Sequence, residues 1–504
     1  MNFVTSSPLE TETLAQQLAL FAKVGMVILL NGDLGAGKST FARAFIKALA
    51  PDEKDFDVPS PSFSLIQTYV ETRVPVAHVD LYRLGAAPNI EELGLNELVS
   101  SHLLLVEWPS LAMEDLSPDS LTLEFSGAAY SRYIQASGAG AWMQALTRNT
   151  QIQSFLTAQG IDSKTRRFLE GDASSRRYEK VQGHNGPLIL MDMPQRPDGP
   201  PVKDGKPYSA IAHLAENIRS VVAVNDQLCF MGYGAPEIQA VDMNAGLALI
   251  EDLGSQVFGS MLKSSANLKM PMRAAVEVLA SFAAQSWPSS VTLRDGSTHL
   301  MPSYDEEAQL IEVDLLPSWF HMHIHQRPAP AGMNEAFQNL WRTVLPLAVS
   351  PKPVWTLRDF HSPNLIWRPQ HQGFKRTGLI DTQDAVLGHP AYDLASLLQD
   401  ARVDIAFDFA DALYAHYVSL RHANGSFDEK EFARAYSILG AQRATKILGI
   451  FARLNARDGK PQYLQHMPRV SRYLARNLQH PVLAEIKRWY ETEMPVALDV
   501  GKQP

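Results

Sequence analysis

Three side chains in one stretch of the sequence have the types and the order that phosphoryl transfer requires. They are Asp359, Asn364 five residues on, and Asp381 at the end of the apolar run Gly378-Leu379-Ile380. Such a transfer uses one carboxylate to orient an attacking hydroxyl and accept its proton. It uses an amide and a second carboxylate to hold Mg²⁺ against nucleotide phosphates. Asp359 fits the first role, and Asn364 with Asp381 fits the second. Trp355 and Leu357 precede the triplet Asp-Phe-His at 359–361, and Leu365 to Trp367 follow Asn364. These apolar flanks predict a strand, a loop and a second strand.

A different phosphate device lies near the start. Val24 to Leu30 reads as a buried strand that runs into Gly32-Asp33-Leu34-Gly35-Ala36-Gly37-Lys38-Ser39-Thr40, followed by a helical pattern. This is a Walker A loop in its strand–loop–helix setting. The glycines let backbone N–H groups wrap phosphates, and the helix N-terminus adds a favourable field. Lys38 reaches the β- and γ-phosphates, and the Ser39 hydroxyl holds Mg²⁺. Gly32, Asp33, Gly35, Ala36, Gly37, Lys38, Ser39 and Thr40 are thus candidate nucleotide contacts. Ser62 sits in a Pro/Ser loop at 58–65 that presents small hydroxyls. Asp80 ends the strand Val76–Asp80, and Glu107 ends the strand Leu103–Glu107. Ligands of open α/β sheets gather at the carboxyl ends of strands, so both acids are expected to converge on the loop.

The elements that must position these groups need more than one core. A chain of 504 residues is expected to form two or three domains. The expected division is 1–148 and 149–504, the second part being mixed strand and helix to about 255 and mostly helical beyond. Residues 1–150 carry 17 acidic against 9 basic side chains. That balance suits docking on a protein partner better than gripping nucleic-acid phosphates. The single cysteine, Cys229, excludes an intrachain disulfide and fits a reducing cytoplasm. The opening residues do not read as a secretory signal, and Val24 to Leu30 is too short to span a bilayer. His321, His323 and His325 alternate without a supporting acid cluster and read as surface or pocket-lining residues.

Four motifs, Gly-Asp-Leu-Gly-Ala-Gly-Lys-Ser-Thr at 32–40, Ser-Pro-Ser-Phe-Ser at 60–64, His-Val-Asp-Leu-Tyr-Arg-Leu at 78–84 and Val-Glu-Trp at 106–108, resemble the TsaE family. These are the small P-loop ATPases of the bacterial machinery that makes threonylcarbamoyladenosine at position 37 of tRNA. The resemblance covers residues 1 to about 145. It implies binding of ATP and Mg²⁺, with Ser39, Ser62 and Asp80 on the metal side and Asp80 and Glu107 near the attacking water. It also implies docking on the TsaB–TsaD pair, with tRNA engaged only indirectly. Ser62 stands where the family usually has threonine, which keeps the hydroxyl.

Arg358 to Asn364, together with 378–401, resembles the aminoglycoside-phosphotransferase-like kinases, which share the two-lobed protein-kinase fold. Asp-Phe-His-Ser-Pro-Asn-Leu-Ile-Trp at 359–367, Gly-Asp-Ala-Ser-Ser-Arg-Arg-Tyr at 171–178 and the run from Ile380 to Arg402 are most similar to the anomeric kinases of N-acetylmuramate and N-acetylglucosamine in cell-wall recycling (AmgK). This implies transfer of the ATP γ-phosphate to the C1 hydroxyl of an amino sugar. Asp359 would orient and deprotonate the hydroxyl, Asn364 and Asp381 would ligate Mg²⁺, and Asp393 would brace the catalytic loop, because a buried carboxylate must find donors. Ser174, Arg176 and Arg177 fall at the hairpin over the phosphates, and Glu251 and Leu253 at the hinge that meets adenine. Asp384 is either a further acid at the metal or one behind it. The strand Leu188–Asp192 lacks the usual phosphate-pairing lysine; Arg176, Arg177 and Lys180 are the replacements in reach. Glu312, Asp314 and Trp319 lie in the substrate region by analogy. An aminoglycoside or choline acceptor would call for an acidic pocket, and a first domain with little turnover would be a nucleotide sensor.

Overall fold

A computed structural model describes residues 1–500 apart from 51–55, 62–63, 85–92, 112–119, 128–130, 170–175, 198 and 264–267. The chain divides into two compact units, Met1–Met191 and Asp192–Pro504.

The first unit is built on a seven-stranded sheet. Its strands are β1 (Asn2–Thr5), β2 (Val27–Gly32), β3 (Ile66–Tyr69), β4 (Val76–Asp80), β5 (Leu103–Glu107), β6 (Leu121–Ser126) and β7 (Arg132–Gly138), in the order β1-β7-β6-β2-β5-β4-β3. The centre, β6-β2-β5-β4, is parallel, and β3, β7 and β1 add antiparallel edges. Parallel strands covered on both faces read as continuous apolar runs. Val27 to Leu30 and Leu103 to Val106 are accordingly all buried, whereas β6 and β7 alternate. The register sets Leu30 and Asp80 on either side of Glu107, so β4 and β5 end level while β2 runs on two residues to Gly32. Helix α1 (Pro8–Ala19) is capped by Ser7, whose hydroxyl accepts from the Glu10 N–H. Helix α2 (Lys38–Leu49) starts directly from the loop after β2.

Helix α3 is the short Leu95–Val99, and α4 runs unbroken from Gly140 to Ala158. The last helix therefore crosses residues 148 and 149 without a turn. Beyond it, the strand Arg167–Leu169 pairs antiparallel with Arg177–Gly183. A buried cluster ties these parts together. Arg166 grips Glu179 with Nε at 2.6 Å and Nη2 at 3.0 Å, and its Nη1 donates to Asn149 Oδ1 at 2.5 Å.

In the second unit, short strand pairs precede and frame a helical body. Leu365–Trp367 pairs with Thr377–Leu379, Val354–Thr356 with Val386–Gly388, and Ile238–Asp242 with Leu247–Glu251, all antiparallel. The helix Glu429–Asp458, 30 residues long, is capped by Asp428 and buried along most of its middle. Three stretches whose apolar spacing predicts single helices, 207–224, 305–318 and 469–490, are broken. The stretch 305–318 ends as an α-helix at Val313 and continues as a wide π-turn at Leu316–Phe320, because Pro317 has no N–H to give the preceding turn. The stretch 469–490 becomes Met467–Asn477 and Ala484–Glu493, separated by Pro481. The stretch 207–224 becomes Tyr208–Ile211 and Ile218–Phe230, the second restarted by Asn217, whose side chain accepts from Arg219 N–H.

Gly449 marks where the long helix touches the π-turn region: a Cβ there would lie 2.4 Å from the Leu315 carbonyl carbon. Backbone cannot yield as a side-chain tip does. Gly449→Ala is expected to destabilise the second unit by about 1–3 kcal/mol, read as a lowered unfolding midpoint, and an unchanged midpoint would refute this packing.

Candidate active sites

The first candidate site lies where β2, β4 and β5 end. A cleft of about 190 Å³ is lined by the Walker A loop together with Asp80, Tyr82, Glu107 and Trp108. Gly32 and Gly37 have φ of 130° and 111°, and a Cβ on Gly32 would sit 2.2 Å from Phe125 O. Only glycine fits there. Lys38 is buried. Its ammonium donates to Gly32 O at 2.7 Å and Asp33 O at 2.9 Å and stands 3.8 Å from the centre of the Trp108 ring. Burial lowers the Lys38 pKa, and the charges of Glu107, Asp80 and Asp33 oppose that. Ser39 Oγ donates to Glu107 Oε2 at 2.8 Å, while His78 Nε2 meets Glu107 Oε1 at 2.9 Å. Asp80 is buried, and its Oδ1 accepts from Tyr82 N–H at 3.1 Å. The structure thus brings Gly32 to Thr40, Asp80 and Glu107 together as the sequence predicts. Ser62 lies outside the described residues. His78 was missed, although it opens the motif at 78–84: nothing in the motif says that a buried strand histidine faces the neighbouring strand's last acid.

Hydroxyl and carboxylate oxygens suit a hard cation. Ser39 and Asp80 therefore fit Mg²⁺, and the N–H groups of a loop opening a helix fit phosphates.

The second candidate site lies in the second unit. Leu365 and Leu379 are direct partners, so Asn364, just before one strand, and Asp381, just after the other, share one end of the pair. Ile380 N–H donates to Asn364 O at 3.0 Å and secures that end. Asn364 Nδ2 donates to Asp359 O at 3.1 Å, which leaves its amide oxygen as the acceptor atom. An amide oxygen and a carboxylate brought to one end of a strand pair again fit Mg²⁺. Arg358 and Asp381 both hold left-handed backbone, with φ of 68° and 60°. Non-glycine residues in that region mark sites that their surroundings over-determine.

The surroundings are legible atom by atom. Asp393 is buried, and its carboxylate accepts from Leu357 N–H at 2.6 Å and Arg358 N–H at 2.9 Å, the bracing expected of it. Burial pushes its carboxyl up to about 7, against those two bonds. Asp400 holds the other side of the loop: it accepts from Ser362 N–H at 2.8 Å and from Arg402 N–H at 2.8 Å. The Arg358 guanidinium donates to Ala212 O at 2.7 Å and to Glu312. Lys446 Nζ joins Glu312 at 2.9 Å, and Tyr304 and Gln442 complete its shell. Glu312, expected in the substrate region by analogy, is 1% exposed and belongs to the core instead. Asp384 accepts from Ala215 N–H at 2.6 Å and holds that segment.

Asp359 itself is 40% exposed. Burial on its inner side opposes ionisation, yet His361, Arg443, Lys446 and Arg358 hold its carboxyl down at about 2. It is therefore a carboxylate near neutral pH. Such a group orients a hydroxyl well and takes its proton late.

The predicted nucleotide contacts divide between the units, Glu251 and Leu253 in the second and Ser174, Arg176 and Arg177 in the first. Glu251 is ion-paired with Arg368 at 2.5 Å, and Leu253 is buried against Gly378. Arg177, expected at the phosphates, lays its guanidinium 3.7 Å from the centre of the Phe21 ring and donates to Leu20 O at 3.2 Å. Arg176 is half-buried, and Ser174 lies outside the described residues.

Comparison with known proteins agrees with this division of chemistry. The profile of the TsaE family, described as threonylcarbamoyl adenosine biosynthesis protein TsaE, matches residues 5–134, and that of the phosphotransferase enzyme family, APH, matches residues 165–436. The N-acetylmuramate/N-acetylglucosamine kinase of Caulobacter vibrioides is 34% identical over 359 residues, covering 69% of this chain and 97% of that protein. The kinase of the same description from Pseudomonas putida is 30% identical over 319 residues, 62% of this chain and 84% of its own. The tRNA threonylcarbamoyladenosine biosynthesis protein TsaE of Rickettsia bellii is 40% identical over 108 residues, 21% of this chain and 74% of its own. The chain therefore belongs to the phosphotransferase enzyme family, its kinase domain of protein-kinase-like fold joined behind an N-terminal domain of the TsaE family.

Proposed function

We propose that the chain is bifunctional. Residues 1–148 act as the ATPase of tRNA threonylcarbamoyladenosine synthesis. Residues 149–504 act as an ATP-dependent kinase for the C1 hydroxyl of N-acetylmuramate or N-acetylglucosamine. The observation that carries the kinase reading is the meeting of Asp359, Asn364 and Asp381 at one end of a strand pair, in a chain that spans 97% of a kinase of that description.

In this reading Asp359 accepts a hydrogen bond from the C1 hydroxyl and aims its oxygen at the γ-phosphorus of ATP. The transition state is loose, so the proton leaves late and a weak base suffices. Asn364 and Asp381 would hold Mg²⁺, which neutralises charge on the β- and γ-phosphate oxygens when bound. Asp393 keeps the loop backbone in place. Arg176 and Ser174 serve the phosphates, and Glu251 and Leu253 present the hinge backbone to adenine.

In the first domain, the backbone from Gly32 to Thr40 cradles the phosphates of a second ATP and Lys38 pairs with them. Ser39, Ser62 and Asp80 would hold Mg²⁺. Glu107, fixed by His78, orients the attacking water beside Asp80. The domain docks on the TsaB–TsaD pair and meets tRNA only through it. The compartment is the cytoplasm, where ATP is available. No helix among the described residues is long and apolar enough to cross a membrane.

Phosphorus NMR of the chain with ATP, Mg²⁺ and either sugar is expected to show a new anomeric phosphate signal. Asp359→Asn should slow its growth by about 10²- to 10⁴-fold; absence of any sugar phosphate from the wild type would overturn the assignment. For the first domain, Glu107→Gln in an Asp359→Asn background is expected to lower phosphate release in the presence of TsaB–TsaD by about 100-fold while nucleotide binding persists. Unchanged release would remove Glu107 from the mechanism.

A further inference from the structure

The long helix Glu429–Asp458 carries Arg443 beneath the catalytic loop, 5% exposed. Its Nη1 donates to Arg358 O at 3.0 Å, stands 3.8 Å from Asp359 Oδ1 and reaches Tyr392 Oη at 3.5 Å. Its Nε is buried without a partner. Of the other basic groups near Asp359, Lys446, one turn on, and Arg358 both go to Glu312, and His361 Nε2 meets Asn364 Nδ2 at 3.4 Å. Among the described residues the Asp359 carboxylate accepts no hydrogen bond, and Arg443 makes its ion pair.

Burying a guanidinium is costly when it is poorly paired. A neutral donor would satisfy Arg358 O equally well, so holding one carbonyl does not account for a buried cation at this position. What the guanidinium adds is a simultaneous hold on the backbone just before Asp359 and on the Asp359 carboxylate, across a residue with left-handed φ. The side chain it steadies, Asp359, is 40% exposed, whereas Arg358, Phe360, His361 and Ser362 around it are buried.

We infer that Arg443 is a positioning residue for phosphoryl transfer, fixing the direction of the Asp359 carboxylate toward the acceptor hydroxyl. This rests on the reading of Asp359 as the group that orients that hydroxyl. Arg443 is 5% exposed beneath the loop and acts through Asp359. Its removal therefore acts on kcat through Asp359 and leaves the KM for ATP alone. Lysine keeps the charge, but its compact ammonium on a flexible stem does not take the place of the planar guanidinium, so it restores only part.

The test is a double-mutant cycle on the full chain, every variant carrying Lys38→Ala to silence the P-loop site. Arg443→Gln is expected to lower kcat for sugar phosphorylation by about 100-fold with the KM for ATP unchanged, and Arg443→Lys to fall between it and the parent. In an Asp359→Asn background, Arg443→Gln should cost nothing more, because its route is already cut. An equal loss in both backgrounds, or no loss in the parent, would overturn the inference. Thermal melts report whether each variant folds. If the glutamine variant does not, the lysine variant decides: reduced kcat at unchanged KM for ATP supports the inference, and parental kcat overturns it. Failure of the underlying reading looks different, because Asp359→Asn would then be as active as the parent. If neither sugar is phosphorylated, the same cycle is read on ATP turnover to water: a loss confined to the parent background supports the inference, and an equal loss in both overturns it.

Discussion

A buried carboxylate, Glu312, meets two cations and two neutral side chains, and the loop that carries Asp359 hangs from that meeting. Burial alone would raise its pKa, but Lys446 and Arg358 hold it at about 2. It is charged because its partners are charged, and each of them is tolerable in the core only because of it. Removing one member of such a set leaves an uncompensated charge at a cost of about 3–5 kcal/mol. The arrangement fixes Arg358, and Arg358 is the residue whose left-handed backbone turns the chain into Asp359. Conformations of that kind cost on the order of 1–3 kcal/mol. Here the Glu312 cluster, Ala212 O and Asp393 hold it from the side chain and from the backbone together.

The two units solve one problem by different means. Each must set acids and phosphate-facing groups at the end of an element that cannot shift. In the first, β4 and β5 end level beside β2, so Asp80 and Glu107 arrive at the Walker A loop by register. Glu107 is then held by Ser39 from one side and His78 from the other. In the second, an antiparallel pair brings Asn364 and Asp381 to one end, and a loop between buried acids supplies Asp359. The hydrophobic work is done by the apolar runs of β2 and β5 in one case and by the long helix Glu429–Asp458 in the other.

What the sequence made legible follows from range. The Walker A loop is local, its glycines demanded by positive φ, so its residues could be read directly. Asp359, Asn364 and Asp381 span one strand–loop–strand, and Asp393 belongs to the helix that follows. Glu312, by contrast, meets Arg358 across 46 residues and Lys446 across 134, a pairing no local pattern encodes. By analogy it was placed among substrate residues, and packing made it core. Arg177 was assigned to the phosphates by its position in a hairpin, yet its guanidinium finds Phe21 of α1's C-terminal side. Helix ends failed at Pro317 and Pro481, where the amphipathic pattern continues through a residue that cannot donate. Asp400 lies within the family-like run from Ile380 to Arg402, but its hold on Ser362 appears only when the fold closes.

The central claim is that one chain holds two separately built nucleotide sites. Equilibrium titration with a non-hydrolysable ATP analogue and Mg²⁺ tests it most directly. Two analogues should bind per wild-type chain, and Lys38→Ala should reduce that to one while leaving the remaining affinity unchanged. A wild-type chain that binds one, or a Lys38→Ala chain that still binds two, would contradict the account.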